Sequence, residues 1–288
     1  MDPCLFVFHH KNDTAVALIH TDDVDMVGST DEIMQAIASE CDNKWEISVV
    51  PSNFVLGVKR EIIQDDDQDM IVECTMTPYI DGMVEAFKQY IPHGPVNTPF
   101  PEKDRGEISR HDEVSEEESK AVLERGYMRM CGLLLWAARM CFPEIACGVS
   151  MLCRVMSKPS EKAWEAGMHT IAWLKSQRLR GIRFSHKGNE VPYAYSDASN
   201  KPDKHDGKCQ YGFVVMWQNG PIMYVSQKLA HCSKGASSHN EYMAMSECSR
   251  SVIWLRQLFS ELELSDVNDK GRTHIEGIDK APFIDGIT

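Results

Sequence analysis

In the last third of the chain, apolar and polar residues alternate with a period of two, which is typical of β-strands. The first of these strands, YAYSDAS, carries its only carboxylate, Asp197, near its end. YGFVVMW and IMYVS predict two further strands, and Asn219-Gly220 between them is a strong hairpin signal. A helix is predicted from about Ser238 to Leu262, and RTHIEGI predicts a fourth strand. This order predicts a mixed sheet with one long helix.

The apolar residues of this helix recur at spacings of three and four and form one stripe. Its members are Met245, Cys248, Val252, Leu255, Phe259 and Leu262. Glu241 precedes Met245 by one helical turn, so we expect its carboxylate on the face that meets the sheet. Ser238 and Glu241 also have the S-x-x-E spacing of a capping box, which would explain the glutamate without any catalysis.

The first 91 residues predict a mixture of strands and helices. Ala15 to Gly28 is a predicted hairpin, with Asp22 and Asp23 at its tight turn. DEIMQAIASEC then predicts a helix, NFVLGVKREIIQ a strand, and DGMVEAFKQY another helix. The apolar strands on both sides favour a functional hairpin for Asp22 and Asp23, and an ordinary acidic turn is the alternative.

The middle of the chain divides into a linker and a helical segment. Residues 92–124 begin with the Pro- and Gly-rich PHGPVNTPFPEKDRG and continue with acidic residues and Ser, which is typical of a linker. Residues 125–188 predict three helices, in YMRMCGLLLWAARM, EIACGVSMLCRVM and EKAWEAGMHTIAWLKSQRLRG. We therefore predict four parts, namely 1–91, 92–124, 125–188 and 189–288.

Charge is unevenly distributed along the chain. The 288 residues carry a formal net charge of −13, which argues against a protein that coats nucleic acid with its whole surface. Residues 125–187 are the exception, with eleven Lys or Arg and three Glu. A solvated surface and a face that follows phosphates both explain this excess. For the second, Arg178, Arg180, Arg183 and Lys187 are the candidate phosphate contacts.

The ten cysteines contain no C-x-x-C pair, so a zinc site of the usual spacing is not expected. We interpret them as reduced and mostly buried.

No apolar run approaches the roughly 20 residues that cross a bilayer, and the acidic, His-interrupted start does not resemble a signal peptide. We therefore expect an intracellular protein, cytoplasmic or nuclear, without a membrane partner.

Asp197 and Glu241 are the candidate residues of one site. Two neighbouring carboxylates repel each other unless a cation lies between them, so the pair favours a metal site. The capping role of Glu241 remains the alternative.

Several motifs in one order resemble the Pol polyproteins of copia-type retrotransposons. YAYSDAS, the following hairpin, SSHNEYMA and VIWLRQLFSEL resemble the ribonuclease H domain of these polyproteins. VNTPFP and the helices of 125–188 resemble their connecting region, while MDPCLFVF and HTDDVDMVGS resemble the later part of the reverse transcriptase. The resemblance covers nearly everything up to about Leu264. It implies an α+β or α/β fragment, truncated at both ends, with a partial palm and thumb, a helical connection and a ribonuclease H-like mixed sheet.

The resemblance also implies a chemistry. Two divalent ions, Mg²⁺ or Mn²⁺, would support hydrolysis of the RNA strand in an RNA–DNA hybrid. Matched by motif, Asp197 and Glu241 are the implied catalytic metal ligands, and Asp279 is the candidate third carboxylate at the end of the fourth strand. Asp22 and Asp23 match the paired metal-binding aspartates of the polymerase hairpin.

The polymerase part departs from the family pattern. His20 and Thr21 stand where a tyrosine and a valine usually precede the paired aspartates, and the earlier aspartate and the fingers would precede residue 1. We therefore expect no polymerisation by this chain alone. The alternative to a nuclease is an inactive remnant that binds nucleic acid or has a structural role. The implied partners are an RNA–DNA hybrid or template–primer and other products of the same element.

Overall fold

The computed structural model forms a mixed α/β fold that divides into two compact units. The first unit contains residues 1–56 and 251–272, and the second contains residues 57–250 and 273–288. The structure describes residues 2–50, 53–64, 68–101, 108, 113–199, 207–230, 237–264 and 274–277. Within these ranges, no helix is both long enough and apolar enough to cross a membrane.

The first unit is built on a three-stranded antiparallel sheet with the order β1-β2-β3. Its elements are β1 (Leu5–His10), β2 (Asp13–His20), β3 (Asp23–Gly28), α1 (Asp31–Asp42) and β4 (Phe54–Val55). The predicted hairpin is confirmed as β2 and β3, which pair His20 with Asp23 across a two-residue turn. Thr21 in that turn has a positive φ of 58°, as two-residue hairpin turns require.

The second unit begins with a helical region and a small sheet. The elements are β5 (Val58–Gln64), β6 (Met70–Thr75), α2 (Thr77–Phe87), α3 (Glu116–Glu124), α4 (Tyr127–Met140), a 3₁₀ turn (Pro143–Ile145), α5 (Ala146–Arg154), α6 (Glu161–Gln177) and β7 (Gly181–Ser185). The three helices predicted in 125–188 are confirmed as α4, α5 and α6. Each buries an apolar stripe in one shared core, which includes Ile80, Leu134, Leu152 and Ile171.

Hydrogen bonds at the helix starts explain where two of these helices begin. The hydroxyl oxygen of Ser115 accepts a 3.1 Å hydrogen bond from the backbone N–H of Glu118 at the start of α3. Ser160 accepts an equivalent bond of 3.1 Å from Ala163 at the start of α6. Each bond satisfies a backbone donor that the first helical turn leaves without a partner.

The segment predicted as a linker, 92–124, contributes to this core. Phe100 is only 4 % exposed and belongs to the core cluster. The hydroxyl of Thr170 donates a 3.0 Å hydrogen bond to the carbonyl oxygen of Pro99. The acidic stretch that follows forms α3, whose three first-turn glutamates suit the positive end of a helix dipole.

Strands β5, β6 and β7 pair antiparallel in that order. β7 was not predicted as a strand, because its sequence GIRFS contains only two large apolar residues. β7 is a strand because it pairs with β6, where Gly181 lies opposite Thr75. A Cβ at Gly181 would overlap the carbonyl oxygen of Cys74. The glycine therefore permits the close approach of the two backbones.

The last part of the second unit is a four-stranded mixed sheet. Its strands are β8 (Tyr193–Ala198), β9 (Gln210–Trp217), β10 (Gly220–Lys228) and β11 (His274–Gly277). Helix α7 (Ser237–Glu261) begins in this unit, and its residues from Ser251 onward belong to the first unit. The strand order is β10-β9-β8-β11. β8 is antiparallel to β9 and parallel to β11. The predicted hairpin is confirmed, with Gln218 and Asn219 at positive φ in its turn, and so are the fourth strand and the long helix.

Candidate functional site

Asp197 lies at the end of β8, an interior strand of the mixed sheet. The residue is 8 % exposed and lies directly opposite Gly212 of β9. Backbone hydrogen bonds to a strand on each side fix the position of β8, so the start of the Asp197 side chain is fixed as well.

An open pocket lies over this end of the sheet, and Asp197 is part of its lining. Tyr195, Tyr224 and Ser226 also line it from the strands, and the segment from Pro143 to Cys147 forms the other wall. Gly212 lies opposite both Asp197 and Ser226, and cross-strand neighbours share one face of a sheet. The pocket therefore joins the β8 carboxylate to the helical region of 125–188.

Glu144 is the second acid of this pocket, and the sequence pattern did not single it out. Burial raises the pKa of its carboxyl, and Arg180 opposes the rise through a 3.4 Å ion pair to Oε1. The other oxygen, Oε2, is buried without a hydrogen-bond partner among the described residues. The only signal in the sequence was its place beside Pro143 at a helix start, where an acid has an ordinary structural explanation.

The other pocket side chains are held by hydrogen bonds. The Tyr224 hydroxyl donates a 2.9 Å bond to the carbonyl oxygen of Arg139, and burial raises the pKa of this phenol. The amide of Gln210 donates a 2.8 Å bond to the hydroxyl of Ser226. Gln210 also accepts a short hydrogen bond from Arg154 of α5. These bonds attach the mixed sheet to α4 and α5.

Glu241 is the fifth residue of α7, just after its first turn, and is half-buried. Four members of the predicted stripe are buried, namely Cys248, Val252, Leu255 and Phe259. The start of the helix differs: Asn240 and Ala244 are buried there, whereas Met245 is half-buried. Glu241 therefore lies beside the buried stripe and not on it. Because α7 already begins at Ser237, Ser238 lies inside the first turn and not at the N-cap position.

Asn240 is the residue of α7 that sequence reasoning missed. It is 2 % exposed, and its side-chain Nδ2 donates a 3.4 Å hydrogen bond to the sulfur of Cys209, next to β9. An amide at this position carried no pattern signal, because the predicted stripe was defined by apolar residues alone.

Carboxylate oxygens are the ligands that Mg²⁺ prefers, so the chemistry of Asp197 and Glu241 suits that ion. The predicted third carboxylate, Asp279, lies outside the described residues. Among the residues that the structure describes, no group of three or more His, Cys, Asp or Glu side chains is arranged to hold a metal ion.

Asp22 and Asp23 occupy the turn of the first unit's hairpin, and both side chains are exposed. Asp22 is a turn residue and Asp23 is the first residue of β3. The predicted position at the tip of a hairpin is confirmed, and a role in polymerisation stays a prediction.

The predicted phosphate contacts all lie beside acidic residues. The ion pairs are Arg178 with Asp81 (3.3 Å), Arg180 with Glu144 (3.4 Å) and Arg183 with Glu73 (2.6 Å). The backbone N–H of Lys187 donates a 3.1 Å hydrogen bond to Asp69. The three arginine side chains remain 47–64 % exposed. Their positive charge is therefore partly offset, although each guanidinium can still reach a ligand.

Comparisons with known proteins identify relatives over most of the chain. The "Retrovirus-related Pol polyprotein from transposon TNT 1-94" of Nicotiana tabacum is 24 % identical over 272 residues, 91 % of this chain. The polyprotein of the same kind from transposon RE1 of Arabidopsis thaliana is 22 % identical over 263 residues, again 91 % of this chain. The chain is related to retrotransposon Pol polyproteins. The resemblance drawn from the sequence motifs is thereby confirmed.

The chain spans about a fifth of the length of these two Pol polyproteins, 19 % and 17 %. A shorter relative is the "Secreted RxLR effector protein 161" of Plasmopara viticola, 26 % identical over 129 residues, which cover 45 % of this chain and 90 % of that protein. No protein-family model matches the chain. No solved structure matches it either.

Proposed function

We propose that the chain is a segment of a copia-type Pol polyprotein that contains the end of a reverse transcriptase, a helical connection and a ribonuclease H-like domain. Its chemistry is metal-dependent hydrolysis of the RNA strand in an RNA–DNA hybrid. One observation carries the proposal: Asp197 closes the interior strand of a mixed sheet, between antiparallel β9 and parallel β11. This is the position that the family resemblance assigns to the first catalytic carboxylate.

The parallel pairing supports this assignment. Gly277, the last described residue of β11, lies opposite Ser196, the residue before Asp197. Because the carboxyl ends of parallel strands meet at the same edge of a sheet, the described end of β11 lies at the edge that carries Asp197. Asp279 follows Gly277 by two positions in the sequence and therefore remains our candidate for the third carboxylate.

Asp197 and Glu241 would hold the divalent ions, which supply a water of lowered pKa and a positive charge at the leaving oxygen. The protein's own contribution is position. The neighbouring strands hold β8, and with it Asp197, from both sides, and the second turn of α7 presents Glu241. The exposed arginines, Arg178 and Arg183, provide positive charge for phosphates of a bound strand. Asp22 and Asp23 keep their proposed polymerase role as part of the longer polyprotein.

The test is cleavage of an end-labelled RNA–DNA hybrid by the purified chain in Mg²⁺ and in Mn²⁺. We expect cleavage by the wild type, loss of cleavage in Asp197→Asn, and retention in Asp31→Asn, whose carboxylate is exposed at the start of α1. Circular dichroism should show that both variants are folded. Cleavage retained in Asp197→Asn would remove this residue from the mechanism. A folded wild type that does not cleave would exclude the nuclease activity.

An inactive remnant is the second candidate. The observation that favours it is that no three-residue metal-binding group occurs within the described residues. Such a protein would bind the hybrid without cleaving it. Its affinity would fall steeply as salt rises, because the contacts would be mainly ionic.

A further inference from the structure

Helix α4 presents two arginines that have no carboxylate beside them. Arg129 and Arg139 are both exposed. Within the ranges that the structure describes, neither guanidinium is ion-paired to an acidic side chain. Other arginines of the second unit differ, because each of them pairs with a carboxylate: these are Arg125, Arg178, Arg180 and Arg183. The charges of Arg129 and Arg139 therefore remain available to a ligand.

The sequence around these two arginines contains almost no acid. Helix α4 contains two arginines and no Asp or Glu, so the helix itself is positively charged. Residues 127–160 contain four Lys or Arg and a single acid, Glu144. The whole chain carries a net charge of −13, so α4 is a local exception. Local charge decides which ligand binds here, because salt screens charges that are farther away than roughly 8–10 Å.

The surface of α4 between the two arginines is open. Their positions differ by about 15 Å along the helix and by about 80° around it, so both arginines lie on the same side. Gly132 lies between them and is exposed, and a Cβ built on it would have no neighbour within 4 Å. An elongated anion can therefore approach the helix backbone closely at this glycine.

The Arg139 end of α4 adjoins the Asp197 pocket. The hydroxyl of Tyr224 donates a 2.9 Å bond to the carbonyl oxygen of Arg139, and Tyr224 and Asp197 line the same pocket. Pro143, four positions after Arg139, belongs to the other wall of that pocket. The exposed side of α4 therefore leads from Arg129 to the edge of the pocket.

We propose that the exposed face of α4, defined by Arg129, Gly132 and Arg139, binds the sugar–phosphate backbone of an RNA–DNA hybrid and directs it to the Asp197 pocket. The identity of this ligand rests on the proposed function, whereas the preference for a polyanion follows from the charge of the helix. A guanidinium donates paired hydrogen bonds to phosphate oxygens. Phosphates of one strand follow each other at about 3.4 Å along a duplex, so the two arginines span roughly four or five base pairs.

A second copy of the chain is the other occupant to consider for this face. Met128 and Leu135 are 59 % and 39 % exposed on the same side of α4 and offer apolar surface to a partner. A symmetric dimer through α4 would place Arg129 and Arg139 of one chain near the same arginines of the other. Such like charges repel each other across an interface, whereas phosphates attract them. Charge complementarity therefore favours the hybrid.

The first experiment measures binding of the full chain to a fluorescently labelled RNA–DNA hybrid by anisotropy, with EDTA present so that cleavage does not interfere. Arg129→Gln and Arg139→Gln should each weaken binding by about five- to tenfold at 0.1 M salt, and each should reduce the salt slope by about one. Lys120→Gln is the control for loss of one positive charge. Lys120 is exposed on α3 among Glu116, Glu117 and Glu124, so this variant should bind like the wild type.

The second experiment separates charge from shape at Gly132. Glutamate and glutamine have the same size, both fit the open space, and both favour a helix more than glycine does. Gly132→Glu should weaken hybrid binding by about tenfold, because its carboxylate lies between the two arginines and repels phosphate. Gly132→Gln should bind like the wild type. Circular dichroism verifies that all variants are folded.

Three results would overturn the proposal. The first is a folded wild type that does not bind the hybrid, and the second is unchanged affinity in Arg129→Gln and Arg139→Gln. The third is a wild-type dimer, detected by light scattering, that Gly132→Glu dissociates without a change in hybrid affinity, since this would assign the face to a second copy of the chain. Binding through α4 without cleavage in Mg²⁺ would support this inference and exclude only the nuclease activity.

Discussion

The guanidinium of Arg125 binds the carboxylate of Glu161 through two parallel hydrogen bonds, and the bond from Nη1 to Oε1 is 2.7 Å long. The same guanidinium lies 5.5 Å above the ring of Trp164. Glu118 of α3 accepts a 2.8 Å bond from the backbone N–H of Glu161. A planar, two-pronged donor is required for this arrangement, which fastens the acidic end of the predicted linker to α6.

The first prediction follows from that geometry. Arg125→Lys should lower the free energy of unfolding by about 1 kcal/mol, because lysine keeps the charge but cannot form the paired bonds or cover the Trp164 ring in the same way. Urea denaturation measures the change. Arg129→Lys is the matched control, since Arg129 is exposed on α4, and it should have the stability of the wild type. Equal stability of the two variants would show that charge alone is sufficient.

The second prediction concerns the close contact of β6 and β7. Gly181→Ala should destabilise the second unit by about 3 kcal/mol, because the new Cβ overlaps the backbone carbonyl of Cys74 and one strand must move. Gly132→Ala is the control: it lies in α4 with open space around it, and alanine should stabilise the helix by roughly 0.5–1 kcal/mol. Thermal unfolding of both variants gives the comparison, and a neutral Gly181→Ala would mean that the strands are not tightly paired.

The elements that the sequence predicted well are those with a strong local signal. Asn219-Gly220 defined the β9–β10 hairpin because few residue pairs accept a positive φ. The helix predicted in YMRMCGLLLWAARM has the same limits as α4, Tyr127–Met140. The hairpin and the helix depend on residues that are close in the chain, so the sequence alone is enough to predict them.

The features that were missed depend on distant contacts. β7 is a strand because β6, more than a hundred positions away, pairs with it, and its own five residues do not show this. The buried stripe of α7 passes through Asn240 because the sulfur of Cys209 accepts its side-chain bond. Asp197 was found because a strand end with one carboxylate is unusual. Glu144 was not predicted as a site residue, because only the packing of the 3₁₀ turn on the sheet buries its carboxyl group.

The third prediction uses the buried carboxyl of Glu144. Its pKa in the folded protein is raised above the ordinary value of 4.5 by burial. Such a group binds more protons when folded, so its contribution to stability falls as pH rises from 4.5 through the folded pKa. Glu144→Gln removes the titrating carboxyl group, and with it this loss of stability at higher pH. The variant should be more stable than the wild type at about pH 8, and the difference should vanish near about pH 4.

Denaturation midpoints of both proteins across this pH range provide the measurement for Glu144. Glu165→Gln, at an exposed position of α6, is the control and should show no pH-dependent difference from the wild type. If Glu144→Gln is instead less stable near neutral pH, the ion pair with Arg180 outweighs the cost of burial.

The fourth prediction separates a metal-binding role of Glu241 from a purely structural one. Glutamine keeps the size of glutamate and can still form hydrogen bonds, but it lacks the negative charge that binds a cation. Glu241→Gln should therefore keep the melting temperature of the wild type and lose affinity for Mn²⁺ by about tenfold or more, since changes even in residues behind the ligands cost 10–100-fold. Calorimetric titration with Mn²⁺ measures the affinity, and Asp31→Asn, which removes an exposed carboxylate at the start of α1, is the control that should keep it.

A double-mutant cycle completes the test. If Asp197 and Glu241 hold the same ion, the losses in Asp197→Asn and Glu241→Gln should not add, because the first substitution already removes the shared site. Additive losses would place the two carboxylates at separate ions. Unchanged Mn²⁺ affinity in Glu241→Gln would remove Glu241 from the metal site. In that case the metal-binding carboxylate next to Asp197 would have to come from another part of the chain.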